Sequence, residues 1–459
     1  MKDFKQYIAP GRRGHLIGIG GVSMSPLAEV LRGMGLCISG SDISDSENVE
    51  HLRSLGIEVV KGHHSETITP EIDFIVRTAA VHDDNPEIAA ARALGIPVFE
   101  RTEAWGAIMR DYKNALCISG THGKTTTTSM STHILMAAEM DPTVMIGGTL
   151  PLLHAGHRVG SGDTIIMESC EYCNSFLNFY PTVAVILDIE EDHLDFFKDL
   201  SDIEHSFREF ASHVPPTGTI IANLDDRNTM DALRPLGREI MTFGLTDKAD
   251  VWPKNLVQLG TQSEFDIMYK GKKFTHITIH VPGIHNVKNA LAASAAAITL
   301  GCGPLAVRYG LAGFNGAGRR FEFKGKYNGA DVYDDYAHHP GELHALLDAV
   351  EPLGYKRRIV VFQPHTFSRT KALFEDFMKE LRRPDLTILA EIYAAREQNT
   401  IGISSKDIAD RIENAMYFDS FDGILKTLRL IASPGDIILT VGAGDIYKVG
   451  ERLVSKEEA

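Results

Sequence analysis

The sequence predicts an α/β protein of three units built on parallel sheets, and three observations carry that prediction. Short apolar runs alternate with helical stretches along the chain, the pattern of parallel sheets covered by helices. Two of the runs empty into glycine-rich turns followed by helices, at His15–Gly21 and at Ala115–Thr125. The length, 459 residues, suits about three domains. Counting elements places the boundaries near 112 and 316, so the expected units are 1–112, 113–316 and 317–459.

Composition narrows the class. Hydrophobic content of 44% and charged content of 23% allow several ordinary cores. The formal net charge is −15, from 46 basic against 61 acidic residues, which argues against a nucleic-acid or anionic-membrane binder. An anionic small molecule would have to be met locally, by Lys, Arg, helix ends or metal. Five cysteines, an odd number in a long chain, speak against a disulfide framework. The first residues hold no apolar leader segment, and the longest apolar run, Ala290–Leu300, is too short to span a bilayer. The expectation is a cytoplasmic protein.

In the first unit, His15–Gly21 reads as a strand entering a turn, Pro26–Met34 as a helix and Leu36–Asp42 as a second strand ending in an acid. This approaches a dinucleotide fingerprint, with Gly18 and Gly20 in place and Ser23 where a third glycine belongs. A nucleotide or diphosphate is expected near Gly18, Gly20 and Ser23. Asp42 either accepts from a ribose hydroxyl or caps the turn. Ile72–Thr78 and Ile96–Phe99 are further strands.

The second unit opens on the stretch that organises the chain. Ala115–Ile118 is a buried strand, Gly120-Thr121-His122-Gly123-Lys124-Thr125 a loop, and Thr126–Glu139 a helix. Such a loop aims backbone N–H groups and a helix N-terminus at one point, which attracts phosphate. Lys124 would reach the outer phosphates and the Thr125 hydroxyl would hold Mg²⁺. Ile118 stands where the full G-x-x-x-x-G-K-[ST] pattern has its first glycine. Strands at Thr164–Met167 and Thr182–Asp188 deliver Glu168, Glu171, Asp192 and His193 to the same sheet edge, where a metal–nucleotide site should form. Glu171 and His193 are the metal candidates beside Thr125. Glu168 is an equal candidate on spacing, and His193 suits Mn²⁺ better than Mg²⁺ or else caps a helix. Thr219–Ala222 is one more strand, residues 250–282 read as an antiparallel insert, and an Ala-rich helix follows Gly283. The C-x-x-C at Cys170–Cys173 has no second pair for zinc; the two read as small, partly buried residues lining the site, with a redox pair as the alternative.

The third unit has strands at Asp331–Asp335, Arg358–Phe362, Leu386–Ala390 and Asp436–Val441, and a helix ending at Leu353. His338, His339 and His365 lack the acid spacing of a zinc site and read as substrate contacts or satisfied polar groups. Arg320 and Arg369 lie on loops of different units and suit bidentate contact to phosphate or carboxylate.

Six pieces in fixed order resemble the Mur ligase family, the ATP-dependent amide ligases of peptidoglycan precursor synthesis. They are G-T-H-G-K-T-T-T at 120–127, E-x-x-E at 168–171, D-H-L-D at 192–195, H-N-V-x-N-A at 285–290, G-x-G-R-R-F at 316–321 and D-Y-A-H-H-P at 335–340. Within the family, the segments at 15–25 and 362–370 resemble the branch that adds L-alanine to UDP-N-acetylmuramate. The resemblance implies a Rossmann-like UDP-sugar domain, a central P-loop ATPase-like α/β domain and a C-terminal Rossmann-like domain that binds the amino acid. It implies that Gly18, Gly20, Gly21, Ser23 and Asp42 contact the UDP moiety. Gly120, Thr121, His122, Gly123, Lys124, Thr125 and Thr126 would hold ATP phosphates and Mg²⁺. Glu171 and His193 would complete the metal sites. His285, Asn289 and Asp335 would contact the nucleotide, and Arg320 its γ-phosphate. Tyr336, His338, His365 and Arg369 would form the alanine pocket. Lys124, Glu171, His193 and Arg320 would be the catalytic set.

The chain also departs from its relatives. Thr366 stands where many carry Arg, no Lys lies between Lys198 and Lys248 to serve as a carbamylated metal ligand, and Cys170, Tyr172 and Cys173 surround Glu171 where Asp is common. The implied chemistry is phosphoryl transfer to a carboxylate followed by attack of an amine, with His193 or His338 taking its proton. Convergence of three units on one site implies closure around ligands. Rival readings are a recycling ligase for a whole tripeptide, an NAD-dependent oxidoreductase built on Gly18–Asp42, and a UDP-sugar-binding ATPase without ligase activity. The oligomeric state is open between monomer and weak dimer.

Overall fold

The computed structural model describes residues 3–455 except Ala79, Asp195 and Arg396. Asp195, the last residue of the D-H-L-D run, lies outside the described residues. Three sheets carry the chain. The first has five parallel strands in the order Glu58–Lys61, Cys37–Asp42, Arg13–Ile17, Phe74–Arg77 and Val98–Glu100. This is the Rossmann order, whose strand reversal leaves a crevice at the carboxyl ends beside the turn after Ile17.

The central sheet has ten strands. Asn114–Ser119 lies between Val183–Ile186 and Thr164–Glu168, all parallel. The expected antiparallel insert is present as Val251–Leu259, Gln262–Tyr269 and Lys272–Ile279, and it extends the same sheet. At the opposite edge a hairpin of Thr143–Leu150 and Ala155–Arg158, which periodicity had not suggested, closes the sheet. Its two strands pair at few positions, because the register shifts between Met145 and Leu150. The third sheet is parallel except for its edge strand, Glu322–Tyr327. The chain is therefore α/β throughout, with Rossmann-like outer sheets and a P-loop-like centre. Among the described residues no helix is long and apolar enough to cross a membrane.

The strands lie between helix layers, so their runs are apolar on both faces. Leu116, Ile118, Ile166 and Val185 are fully buried on one face of the central sheet. Cys117, Ala184 and Ile186 on its other face belong to a cluster that continues without a break into the first sheet through Trp105, Phe4 and Leu16. The joint is the helix Arg101–Met109 against the turn Tyr172–Asn178. Gly106 sits at the contact, and a Cβ there would lie 1.9 Å from the Asn178 carbonyl oxygen. The third sheet has cores of its own, formed around Phe362, Phe377 and Leu389 on one face and Ile388, Ile424 and Ile438 on the other.

Candidate active site

The loop after Asn114–Ser119 is shaped by two glycines. Gly120 has φ +145° and Gly123 has φ +79°, and a Cβ at either would strike Leu187 or Asn289 within 3 Å. Gly123 is the N-cap, so the helix begins at Lys124, two residues before the expected start, and runs to Ala137. Its first N–H groups therefore sit inside the loop and face the same point. Asp188, at the end of the neighbouring strand, braces the loop: its carboxylate accepts from His122 N–H at 2.7 Å and its carbonyl from Thr121 N–H at 3.0 Å. Burial raises the Asp188 carboxyl to about 6.

Lys124 bends back into the loop. Its ammonium donates to the Gly120 and Thr121 carbonyls and to Glu171, at 3.1 and 3.2 Å from the two carboxylate oxygens. Burial opposes the charge, but Glu171 more than offsets it and the ammonium titrates above its ordinary range. The two acids of the E-x-x-E run divide. Glu168 accepts from the Thr125 hydroxyl at 3.0 Å and from Gly147 N–H at 2.7 Å, whereas Glu171 faces Lys124 and, at 3.8 Å, His193. His193 has φ +54° and lies under the Tyr172 ring, with centroids 4.5 Å apart. Hydroxyl, two carboxylates and an imidazole at one strand edge are a donor set that fits a divalent cation. Cys170 and Cys173 are exposed residues with free thiols, a correction to their reading as partly buried.

Asp192 joins this edge to the third sheet. Its carboxylate receives the Arg369 guanidinium at 2.9 Å, each side chain only 11% exposed, and Arg369 holds the Asp192 carboxyl well below the usual range despite burial. His365 lies 3.3 Å from Arg369, and the His338 ring is 5.6 Å from that of His365. His338 Nδ1 donates to the Tyr336 carbonyl at 3.0 Å, which leaves Nε2 as the acceptor, and burial pushes this imidazole down to about 4. His193, His365 and Arg369 line a cavity of about 460 Å³ with Tyr172 and Glu397. Glu342, which caps the helix Pro340–Val350, makes a second bridge to the central sheet through His122 at 3.5 Å and lies 3.9 Å from Arg320 of its own unit.

A cavity of about 260 Å³ opens behind the loop, lined by His122, Thr126, His285, Asn289, Arg320 and Asp335 among others. Asn289 accepts from Thr127 at 3.2 Å, and burial pushes His285 down to about 4. Asp335 accepts from Phe321 and Ala337 N–H at 2.8 Å each and is raised by burial to about 6. Arg320 stacks on Tyr336, 5.1 Å from the ring centroid.

The residues of the first sheet form a separate group; a cleft of about 970 Å³ lies nearby, lined from this unit by Val22, Glu47 and Asn48 and from the others by residues that include Thr125 and Arg319. Gly18 has φ +78°, and a Cβ on Gly20 would meet Val49 at 2.6 Å. Gly21 N–H closes the turn onto the Gly18 carbonyl at 3.1 Å. Asp42 accepts from Gly20 N–H at 2.9 Å and from Ser44, so its carboxylate caps the turn. Ser23 is held by Arg101, whose guanidinium donates to its hydroxyl, and by the Trp105 indole, which donates to its carbonyl at 3.2 Å. Arg101 has no ion pair with a carboxylate among the described residues. It is a half-buried cation beside a glycine-rich turn, and sequence reasoning missed it. The only signal was its place at the start of a helix 78 residues from Ser23.

Three family profiles match consecutive parts of the chain: "Mur ligase family, catalytic domain" over 13–113, "Mur ligase middle domain" over 118–297 and "Mur ligase, glutamate ligase domain" over 319–444. A UDP-N-acetylmuramate–L-alanine ligase of Agathobacter rectalis is 48% identical over 447 residues, 96% of this chain and 97% of that one. The enzyme of the same name from Acetivibrio thermocellus is 44% identical, covering 97% and 96%. The crystal structure of the UDP-N-acetylmuramate–alanine ligase of Thermotoga maritima is similar with a TM-score of 0.79 and 28% identity, over 96% of this chain and 98% of that one.

Proposed function

The chain belongs to the Mur ligase family, and we propose that it joins L-alanine to the lactyl carboxylate of UDP-N-acetylmuramate while converting ATP to ADP and phosphate. It is an ATP-dependent, amide-forming ligase of peptidoglycan precursor synthesis. One observation in the site carries the reading. A continuous run of contacts leads from Lys124 through Glu171, His193 and Asp192 to Arg369. It sets a phosphate loop beside a guanidinium suited to a carboxylate, which is what activation of one acid and capture of an amino acid require together.

A carboxylate is a poor electrophile, so the γ-phosphoryl group of ATP is first moved onto it. Positioning and charge neutralisation do most of that work. In this reading the loop N–H groups and Lys124 bind the phosphates, Arg320 neutralises the group in transfer, and His285 and Asn289 face the nucleoside. Thr125, Glu168, Glu171 and His193 would hold Mg²⁺, which supplies positive charge to the phosphoryl group when bound. Arg369 grips the alanine carboxylate. His338, kept neutral by burial, presents Nε2 as an acceptor to the amine that attacks the acyl phosphate. The turn at Gly18–Ser23 and Arg101 bind the UDP moiety, whose binding energy positions the remote carboxylate.

The test is phosphate release from ATP with Mg²⁺ and UDP-N-acetylmuramate, with L-alanine, a tripeptide or no amine. Release that needs L-alanine and yields one amide by mass supports the proposal. Release only with the tripeptide assigns the recycling reaction, and release indifferent to amine assigns an ATPase.

A further inference from the structure

Cys170, an exposed residue, stands immediately before Glu171 on the loop that leaves Thr164–Glu168, although the protein packed around its sulfur pushes the thiol up to about 12. The Cys170 sulfur, one Glu171 oxygen and one His193 nitrogen all lie within 4.8 Å of one another. The Glu171–His193 pair is separated by 3.8 Å. In a tetrahedral Zn²⁺ centre with bonds of about 2.0–2.3 Å, the ligand atoms are roughly 3.5 Å apart, so about 1 Å of side-chain movement closes this triad on a metal. The Tyr172 ring, tilted 34° against His193 with centroids 4.5 Å apart, restrains the imidazole, and the exposed residue Cys170 leaves a way in from solvent. Mg²⁺ takes oxygen ligands and gains nothing from sulfur, whereas Zn²⁺ gains from it.

We propose that Cys170, Glu171 and His193 form a thiolate-bearing site for a soft divalent cation, Zn²⁺ above all, distinct in selectivity from the oxygen-rich Mg²⁺ site with which it shares Glu171 and His193. On binding, the Cys170 S–H bond is replaced by an S–Zn bond and the proton passes to water. The Glu171 carboxylate exchanges the Lys124 ammonium for the metal. Where the ligase reading holds, Zn²⁺ seated here inhibits in competition with Mg²⁺; that corollary rests on the proposed function, and the binding site does not.

The probe is Co²⁺, titrated into the full chain without nucleotide and followed by absorbance. A thiolate ligand produces a sulfur-to-cobalt charge-transfer band in the near ultraviolet, which Zn²⁺ then abolishes by displacement. The expected result is a band in the parent chain and in C173S, its loss in C170S, and a Zn²⁺ affinity in C170S at least about tenfold lower, a scale that even supporting groups of metal sites reach. Circular dichroism and retained Mg²⁺-ATP binding certify the fold of C170S. A band that survives C170S, follows Cys173 instead, or never forms overturns the proposal. The other His- and Glu-bearing group, His122, Glu190 and His339, has no sulfur and cannot produce the band.

Discussion

The two seams of the molecule are built differently. Between the first and central sheets the seam is apolar and continuous: Trp105 and Met109 from one side and Phe176 and Phe179 from the other belong to a single buried cluster. Between the central and third sheets the joining contacts are ionic, Asp192 with Arg369 and His122 with Glu342, and each sheet keeps its own core. Burial of apolar surface is non-directional and holds two bodies together whatever is bound. Ion pairs exchange partners when a competing charge arrives. The first seam is therefore expected to act as a fixed platform, and the second to loosen when the anionic groups of nucleotide and amino acid compete for His122 and Arg369.

The largest effect is expected from breaking the apolar seam. G106A drives a Cβ into the Asn178 carbonyl, a backbone atom with no rotamer to yield, and should cost about 3 kcal/mol or more. Denaturant unfolding should show a lower midpoint with the first and central sheets melting together; separate transitions would contradict a shared core. Next is R369A, which removes the partner of a buried carboxylate. Arg369 is also the guanidinium proposed to grip the alanine carboxylate, and truncating one partner of a buried charge pair costs roughly 2–5 kcal/mol, so the KM for alanine should rise at least about thirtyfold while ATP affinity holds.

R101A separates binding from packing on the helix that forms the first seam. The apolar contacts of Trp105 persist, but a hydrogen bond from a cation to an anion is worth about 1.5–3 kcal/mol. The Kd for UDP-N-acetylmuramate should rise about tenfold or more by calorimetry, with little change in the thermal midpoint. E342Q sharpens the account of the ionic seam. The amide can still accept from the His338 and His339 N–H groups that cap the helix, yet the charge that holds His122 and Arg320 is gone. Without ligand, its radius of gyration should exceed that of the parent, and added nucleotide should abolish the difference. An unchanged radius would count against a moving third sheet.

The smallest effect is a pH dependence. His285 and His338 titrate at about 4 in the folded chain, below the ordinary 6.5. The unfolded chain then takes up protons that the folded chain refuses, so their stabilisation is complete above about pH 6.5 and declines as pH falls toward 4. Asp188 and Asp335, raised to about 6, act in the opposite sense, because the folded chain binds their protons first. H285Q should therefore show a shallower fall of the thermal midpoint between pH 6.5 and 4 than the parent, measured by scanning calorimetry.

Much of this was local enough to read from residues in order. Apolar runs bounded by glycine became strands, the loop at Gly120–Thr125 held its lysine and threonine, and acids followed the strands at Glu168, Glu171 and Asp192, because strand period and turn chemistry act over a few residues. What periodicity missed was weakly patterned: the irregular hairpin of Thr143–Leu150 and Ala155–Arg158, and the edge strand Glu322–Tyr327. Only the tertiary structure decided which partner each group met. It divided Glu168 to Thr125 and Glu171 to Lys124, used Asp42 to cap its own turn, brought Arg101 across 78 residues to Ser23, and paired Asp192 with Arg369 from another sheet. Those pairings depend on how sheets pack, and packing is set by the summed burial of distant side chains, which no local pattern records.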